Sequence, residues 1–293
     1  PLWSLPYRIL KISAFLKKMN IDIIHSWHWS SDFTEPLAAR LAGIKYTYTK
    51  KNMSWGNKAW SLRSRLSNSV VTINSSMKPM FFDNYKNIEY IPIGIDTSYY
   101  QPIERKYKVD GIDIDDKSFV IITVANMVLV KGIEILIRSF IQVENESNFK
   151  LKLFLVGGCD NEYGKKLRTE SASSDNVHFL GKKLDVRPYL AEADLFVIPT
   201  LDIGRKEAQG VAPLEAMSMG IPVVASNLDG LSEVMTGHES DLFEPGNEEE
   251  LKNKIKKHLN RKINTTNRKK IEFLNVFKLS EMIKSYEKLY MKI

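Results

Sequence analysis

The chain has 293 residues, 43% hydrophobic and 26% charged. That is ordinary for a globular protein and long enough for one large domain or two of ~100–200 residues. The formal charge of +7 allows affinity for phosphates, anionic lipid or nucleic acid without choosing between them. The single cysteine, Cys159, excludes an internal disulfide and CxxC-type metal sites, and fits a reducing, cytoplasmic compartment. No run approaches the ~18 apolar residues of a transmembrane helix, and no signal peptide is visible.

Apolar residues at helical spacing predict a helix over Tyr7 to Met19. "IDIIHSW" reads as a strand, "EPLAARLAG" as a helix, and "KYTYTK" as a strand by its alternation of β-formers. A helix through "KAWSLRSRL", the strand "SVVTIN" and the strand and turn of "IEYIPIGID" complete this part. Residues 101–117 are polar, with Pro102 and Gly111, and read as a linker. The alternation then restarts. Strands are expected at "SFVIITVANM", "LKLFLVGG", "VHFLG", "DLFVIPT" and "GIPVVAS". Helices are expected at "GIEILIRSFIQV", "EYGKKLRTESA", "VRPYLAEA", after Gly210, and at "GNEEELKNKIKKHL". Ile271 to Ile293 carries a last helical stripe. Strands alternating with helices specify βαβ units and parallel sheets, here in two doubly wound domains.

Two places carry chemistry. In "KEAQGVAPLEAMSMGIPVVAS", Glu207 precedes a predicted helix N-terminus and Glu215 lies about two turns inside the helix. Free amides and the helix dipole bind anions there, and Gly210 is expected to let the backbone approach a ligand. A phosphate on the amides leaves both carboxylates to accept hydrogen bonds from hydroxyls, which suits a nucleotide-sugar. The bland alternative makes Glu207 a solvated loop charge and Glu215 an exposed helical residue. In "VANMVLVKGIEIL", Lys131-Gly132 opens a helix after a strand, and the lysine offers phosphate a point charge. Both places follow carboxyl ends of strands, where ligands gather in parallel sheets.

With these residues in view, the chain resembles the family 4 glycosyltransferases of the GT-B fold. "EAQGVAPLE" is similar to the family's E-x7-E motif, and "PLEAMSMGIPVVAS" to its continuation. "VANMVLVKG" is similar to the donor diphosphate turn, "IPIGID" to the segment before the hinge, and "FEPGN" to a turn before the last helices. "DIIHSWHW" is similar to the acceptor-side strand. The resemblance implies two Rossmann-like domains facing across a cleft. Their expected extents are 1–100 for the acceptor side and 101–270 for the nucleotide-sugar side, with 271–293 crossing back to the first. It implies transfer with retention and without an essential metal or cofactor. By position, Lys131 contacts the donor diphosphate with Asn126 and Gly132 beside it. Glu207 binds the donor sugar and Glu215 the ribose. Ala208, Gln209, Gly210, Val211 and Ala212 line the donor, with amides of the last three offered to phosphate or sugar. Gly181 to Leu184, including Lys182, lie near the base. A histidine faces the transferred sugar; His25 and His28 both qualify, and His28 is preferred.

Some positions depart from the family pattern. Asn126 stands where arginine is frequent, Ala208-Gln209-Gly210 where Gly-Phe-Gly is frequent, and Asp229 and Ser240 where glycines are frequent. The opening strand and Gly-rich turn are not seen, and the chain starts with Pro1. An incomplete first domain with further sequence upstream is therefore expected. "DID", Asp113 to Asp115, reads as polar linker and not as a metal site. The segment "LWSLPYRILKISAFLKKMN" mixes Trp3, Tyr7 and Phe15 with Arg8, Lys11, Lys17 and Lys18. Packing of one face on the sheet is preferred for it over contact with an anionic membrane. Dispersed basic residues give no nucleic-acid motif.

The expected function is transfer of a hexose from a nucleotide diphosphate sugar to a hydroxyl of a glycan or lipid-linked sugar acceptor. Bacterial surface polysaccharide assembly is the expected setting, in the cytoplasm or peripheral to the membrane's inner face. The alternatives are a donor-binding protein without transfer and a nucleotide-sugar epimerase on the same fold.

Overall fold

The computed structural model describes residues 4–54, 56–204, 207–264 and 275–293. The chain forms two compact units, Pro1–Gly94 with Leu279–Ile293, and Ile95–Lys278.

The first unit runs α1 (Leu5–Lys18), β1 (Ile23–Ser26), α2 (Thr34–Ala42), β2 (Lys45–Lys50), α3 (Ala59–Leu66), β3 (Ser69–Thr72), α4 (Met77–Phe81) and β4 (Ile88–Tyr90). Its strands form a parallel sheet in the order β1-β2-β3-β4. Successive strand residues point to opposite faces. Ile24, Tyr46, Tyr48 and Val70 accordingly share a cluster with Ala39 of α2 and Trp60 of α3. Helix α1 buries Ile9 and Ser13 and lies on α2. Its other side leaves Tyr7, Leu10 and Phe15 exposed among Arg8, Lys11, Lys17 and Lys18, which are exposed too.

The second unit opens with the hairpin β5 (Lys108–Val109) and β6 (Ile112–Asp113). It continues with β7 (Phe119–Val124), α5 (Ile133–Glu146), β8 (Leu151–Val156), α6 (Glu162–Glu170), β9 (Val177–Gly181), α7 (Arg187–Glu192) and β10 (Leu195–Ile198). Then come α8 (Val211–Ser218), β11 (Val223–Ser226), α9 (Asp229–Ser232), β12 (Leu242–Phe243) and α10 (Glu248–Asn264). The six strands are ordered β12-β11-β10-β7-β8-β9, and every neighbouring pair is parallel. This is doubly wound Rossmann order, and the direction of winding reverses between β7 and β10. Apolar runs such as "FVIITV" follow from burial on both faces. Val120 and Ile122 enter one core, and Phe119 and Ile121 the other.

The polar segment 101–117, expected as a linker, is instead fastened onto this unit. Lys106 and Tyr107 amides donate to the Glu192 carboxylate at 2.6 and 3.2 Å. Arg105 pairs with Asp194 at 2.6 Å. Within "DID", Asp113 pairs with Lys108 at 3.2 Å and Asp115 with Lys150 at 2.7 Å. Composition marked the segment as polar, but its partners lie some 80 residues away and leave no local pattern.

The chain ends in α11 (Leu279–Lys292), part of the first unit. Residues 271–274 of the expected helical stripe, with Trp3, Arg205 and Lys206, lie outside the described residues. Tyr286 and Leu289 of α11 cluster with Val71 and Ile91. His25 of β1 is held by the Tyr290 hydroxyl at 2.5 Å through Nδ1 and by Thr49 Oγ1 at 2.8 Å through Nε2. Among the described residues, no helix is long and apolar enough to cross a membrane.

Burial pushes the His25 imidazole down to about 4. It is therefore neutral in the folded chain where an unfolded chain, near 6.5, takes up a proton. The stability it contributes is complete above that value and is lost as pH falls toward 4. Melting temperatures followed from pH 7.5 to 4 should show this loss, and His25→Gln should remove that part of the slope.

Candidate functional site

Two loops meet where the winding reverses. After β7 the chain passes Asn126, makes a short 3-10 turn at Leu129–Lys131, and enters α5 through Gly132. After β10 it passes Pro199 and Leu201 and returns at Glu207 to enter α8 through Gly210. The Leu201 amide donates to the Val130 carbonyl at 2.8 Å. Gly132 has φ +59°, and a Cβ there would lie 2.2 Å from the Pro199 carbonyl oxygen. Only glycine combines that conformation with that closeness. The outcome is a direct ion pair between Lys131 Nζ and Glu207 Oε2, both largely withdrawn from solvent. The two residues singled out from separate motifs thus touch.

The loop bearing Glu207 is fixed from below. A Cβ on Gly230 of α9 would fall 2.6 Å from the Glu207 carbonyl oxygen and 2.6 Å from the Ala208 carbonyl carbon. Ala208 and Gln209 are buried. Gly210 has an ordinary φ of −79°. The space a side chain would need there is filled by Leu231 and Pro213, each 2.6 Å from its Cβ position. Internal packing therefore demands this glycine, a correction to the expectation of close ligand approach.

No side chain caps the N-terminus of α8, and its first turn holds no acidic residue. Pro213 has no N–H, so the amides available for an anion belong to residues such as Val211 and Ala212. The start of α5 differs. Its Ile133 amide donates to the Tyr163 hydroxyl at 3.0 Å, and that hydroxyl donates in turn to Glu134. Anion-binding capacity therefore sits at α8 with Lys131 beside it.

Glu215 is half-buried, not an exposed helical residue. Desolvation holds its carboxyl above the usual range, opposed by a hydrogen bond from the Tyr100 hydroxyl. Tyr100 is anchored by its carbonyl, which accepts from Ser218 Oγ at 2.5 Å. Asn126 is exposed. Lys182 and Leu184 are exposed at the carboxyl end of the edge strand β9. The neighbouring Lys183, not Lys182, forms an ion pair, with Asp110 at 2.7 Å.

In the first unit, His28 is exposed just beyond β1, whereas both ring nitrogens of His25 are engaged. Sequence reading missed Arg63 of α3, which is 1% exposed. Its guanidinium donates to the His28 carbonyl at 3.2 Å, to the Ser30 carbonyl, to Ser26 Oγ at 2.8 Å and to the Tyr46 hydroxyl at 2.7 Å. An arginine in "AWSLRSRL" looks like any helical cation until the fold turns it inward. Tyr100 and Gly230 were missed for the same reason.

Residues 118–261 match the family model for glycosyl transferases group 1. The chain is 26% identical over 268 residues to the N,N'-diacetylbacillosaminyl-diphospho-undecaprenol alpha-1,3-N-acetylgalactosaminyltransferase of Campylobacter jejuni, covering 81% of this chain and 68% of that protein. It is 24% identical over 261 residues to the capsular polysaccharide biosynthesis glycosyltransferase CapH of Staphylococcus aureus, covering 83% and 69%. Among solved structures, a glycosyltransferase from Rickettsia africae superposes with a TM-score of 0.81 at 19% identity, covering 98% of this chain and 82% of that one. Anabaena HepE in complex with UDP and glucose superposes with a TM-score of 0.77 at 20% identity, covering 97% and 81%. The fold is that of the GT-B glycosyltransferases, and these likenesses support a glycosyltransferase.

Two substitutions check this geometry. Gly230→Ala inserts a methyl against the Glu207 loop and should cost about 1–3 kcal/mol, read from urea denaturation. Glu215→Gln removes a carboxylate that burial makes unfavourable. Because the folded value is raised, the native chain loses stability as pH climbs above about 4.3. The melting temperature of the variant should therefore exceed that of the parent at pH 7 and converge with it near pH 4.

Proposed function

We propose that this protein transfers a hexose, with retention, from a nucleotide diphosphate sugar to a hydroxyl of a glycan or lipid-linked sugar, in the assembly of a bacterial surface polysaccharide. The observation that carries the reading is the Lys131–Glu207 pair beside the uncapped start of α8, at the reversal between β7 and β10. A single lysine, an uncapped helix and two carboxylates at one crevice match the parts of such a donor: diphosphate, sugar and ribose.

In this mechanism the donor diphosphate takes over Lys131 and the amides of Val211 and Ala212. Glu207, released from the lysine, accepts hydrogen bonds from the sugar hydroxyls. Glu215, steadied by Tyr100, accepts from the ribose. Gly132 holds the Lys131 turn in place. Asn126, Gln209 and the segment Gly181 to Leu184 with Lys182 line the remainder of the donor, and Ala208 and Gly210 shape the loop. The bond from the anomeric carbon to the phosphate oxygen breaks as negative charge grows on the diphosphate. Fixed cationic groups there stabilise the transition state more than the ground state. The acceptor oxygen bonds to the same face of the sugar, and its proton passes to the departing phosphate oxygen. His28 keeps the role that the resemblance gives it, a contact to the transferred sugar. The reading calls on no metal or cofactor. The basic and apolar outer side of α1 suits peripheral contact with an anionic membrane surface.

UDP, GDP and ADP should be titrated in thermal-shift assays against the parent and Lys131→Ala. One nucleotide should stabilise the parent by ~2.7 kcal/mol at a hundredfold excess over its Kd, and the variant should lose the shift. No shift with any of the three in a cooperatively melting sample would remove the donor site. Incubation with the matching nucleotide-sugar and sugar acceptors then separates transfer from binding alone. Appearance of an epimeric sugar in place of a transfer product would point to an epimerase.

A further inference from the structure

We propose that Trp27 and Trp29 form a stacking shelf for a pyranose ring, the acceptor subsite of the transfer proposed above. The proposal rests on that reading for its role but on separate observations for its existence. The loop follows the carboxyl end of β1, where parallel sheets place their ligands. Trp29 is 67% exposed and Trp27 40%, with exposed His28 between them. Tryptophan is seldom left so open, since its ring offers a large apolar area.

This loop is not slack. The buried guanidinium of Arg63 grips the carbonyls of His28 and Ser30 while also holding Ser26 and Tyr46. Glu35, 3.6 Å from Arg63, accepts from Tyr46 and Ser26 at 2.8 and 3.2 Å. Farther on, the Asp32 amide donates to Ser30 Oγ at 2.9 Å, and Asp32 Oδ1 accepts from the Thr34 amide at 2.8 Å. Trp27 is seated from behind, its ring 5.0 Å from His25 and 5.5 Å from Tyr286. A buried arginine with several donors committed to one loop fixes that loop before any ligand arrives, which spares the ordering cost on binding.

The surroundings identify the occupant. Polar groups rim the indoles: His28 beside Trp29 at 6.4 Å, Lys51 Nζ 5.8 Å from the Trp27 ring, and Ser31, whose Oγ accepts from Asn57 at 3.0 Å. A pyranose has the matching shape. Its axial C–H face lies on the electron-rich face of an aromatic ring, and its equatorial hydroxyls reach donors and acceptors at the rim. A lipid chain would use the rings but not the rim.

The test uses the whole chain and simple probes, the methyl α- and β-glycosides of glucose, galactose, N-acetylglucosamine and N-acetylgalactosamine, with glycerol as control. Saturation-transfer NMR should show at least one glycoside contacted through its ring C–H protons, and tryptophan emission should shift in the same titration. Trp29→Ala should weaken that binding about fivefold or more, and Trp29→Tyr should restore most of it. Both variants should melt like the parent and keep its stabilisation by nucleotide. The shelf is wrong if no glycoside is contacted, or if Trp29→Ala binds as well as the parent. It is equally wrong if Trp29 governs only sedimentation with phosphatidylglycerol vesicles. Glycoside binding that persists in a chain no nucleotide stabilises would support the shelf and strike the donor reading instead.

Discussion

The contact between the loops after β7 and β10 governs the rest of the second unit. In a doubly wound sheet these strands are neighbours whose following helices leave in opposite directions, so a crevice opens between the two loops. Here the loops touch. Gly132 lies so close to the Pro199 carbonyl that no side chain fits, and Leu201 bonds to Val130. A lysine and a glutamate from distant parts of the chain are thereby brought into one ion pair. The pair neutralises two partly buried charges that would each be costly alone. It also keeps both poised in the place where a diphosphate and its sugar need opposite charges side by side.

Around that contact the protein accepts local costs. Glu215 is held in a partly desolvated position where its charge is disfavoured. The Glu207 loop rests on a glycine with no room to spare. The start of α8 keeps its amides without a side-chain cap, although a cap stabilises a helix by about 1 kcal/mol. Each feature lowers stability and raises readiness for an anionic, hydroxyl-rich ligand, the trade expected of a binding site.

The first unit is ordered by polar contacts inside its layers. Arg63 ties the loop after β1 to α3. Lys50 is fully buried at the end of β2, bonded to Asn52 at 2.9 Å and to the Ser54 carbonyl at 2.6 Å. Its ammonium lies 4.4 Å from the Phe81 ring and 5.0 Å from the Trp60 ring. Desolvation pushes it down to about 8. Such groups specify loop positions more strictly than apolar packing does, because misplacing them leaves buried donors without acceptors.

Periodicity alone determined much of the fold. "KYTYTK" alternates and is a strand over those same residues, and "FVIITV" is apolar throughout because helices cover both faces of its sheet. Strong local patterns of this kind survive any tertiary context. The E-x7-E spacing and the Lys-Gly turn could likewise be read as donor-site candidates, since loop position after a strand is a local property. What tertiary structure decided was everything that depends on meeting. The hairpin at 108–113 forms in a stretch that composition marks as a linker, secured by Glu192 and Asp194. Lys131 and Glu207 are 76 positions apart, and only the strand order makes them partners. Arg63, Tyr100 and Gly230 carry no signal in their own neighbourhoods. Their importance comes from what lies across the core from them, and a linear sequence does not display distances through space.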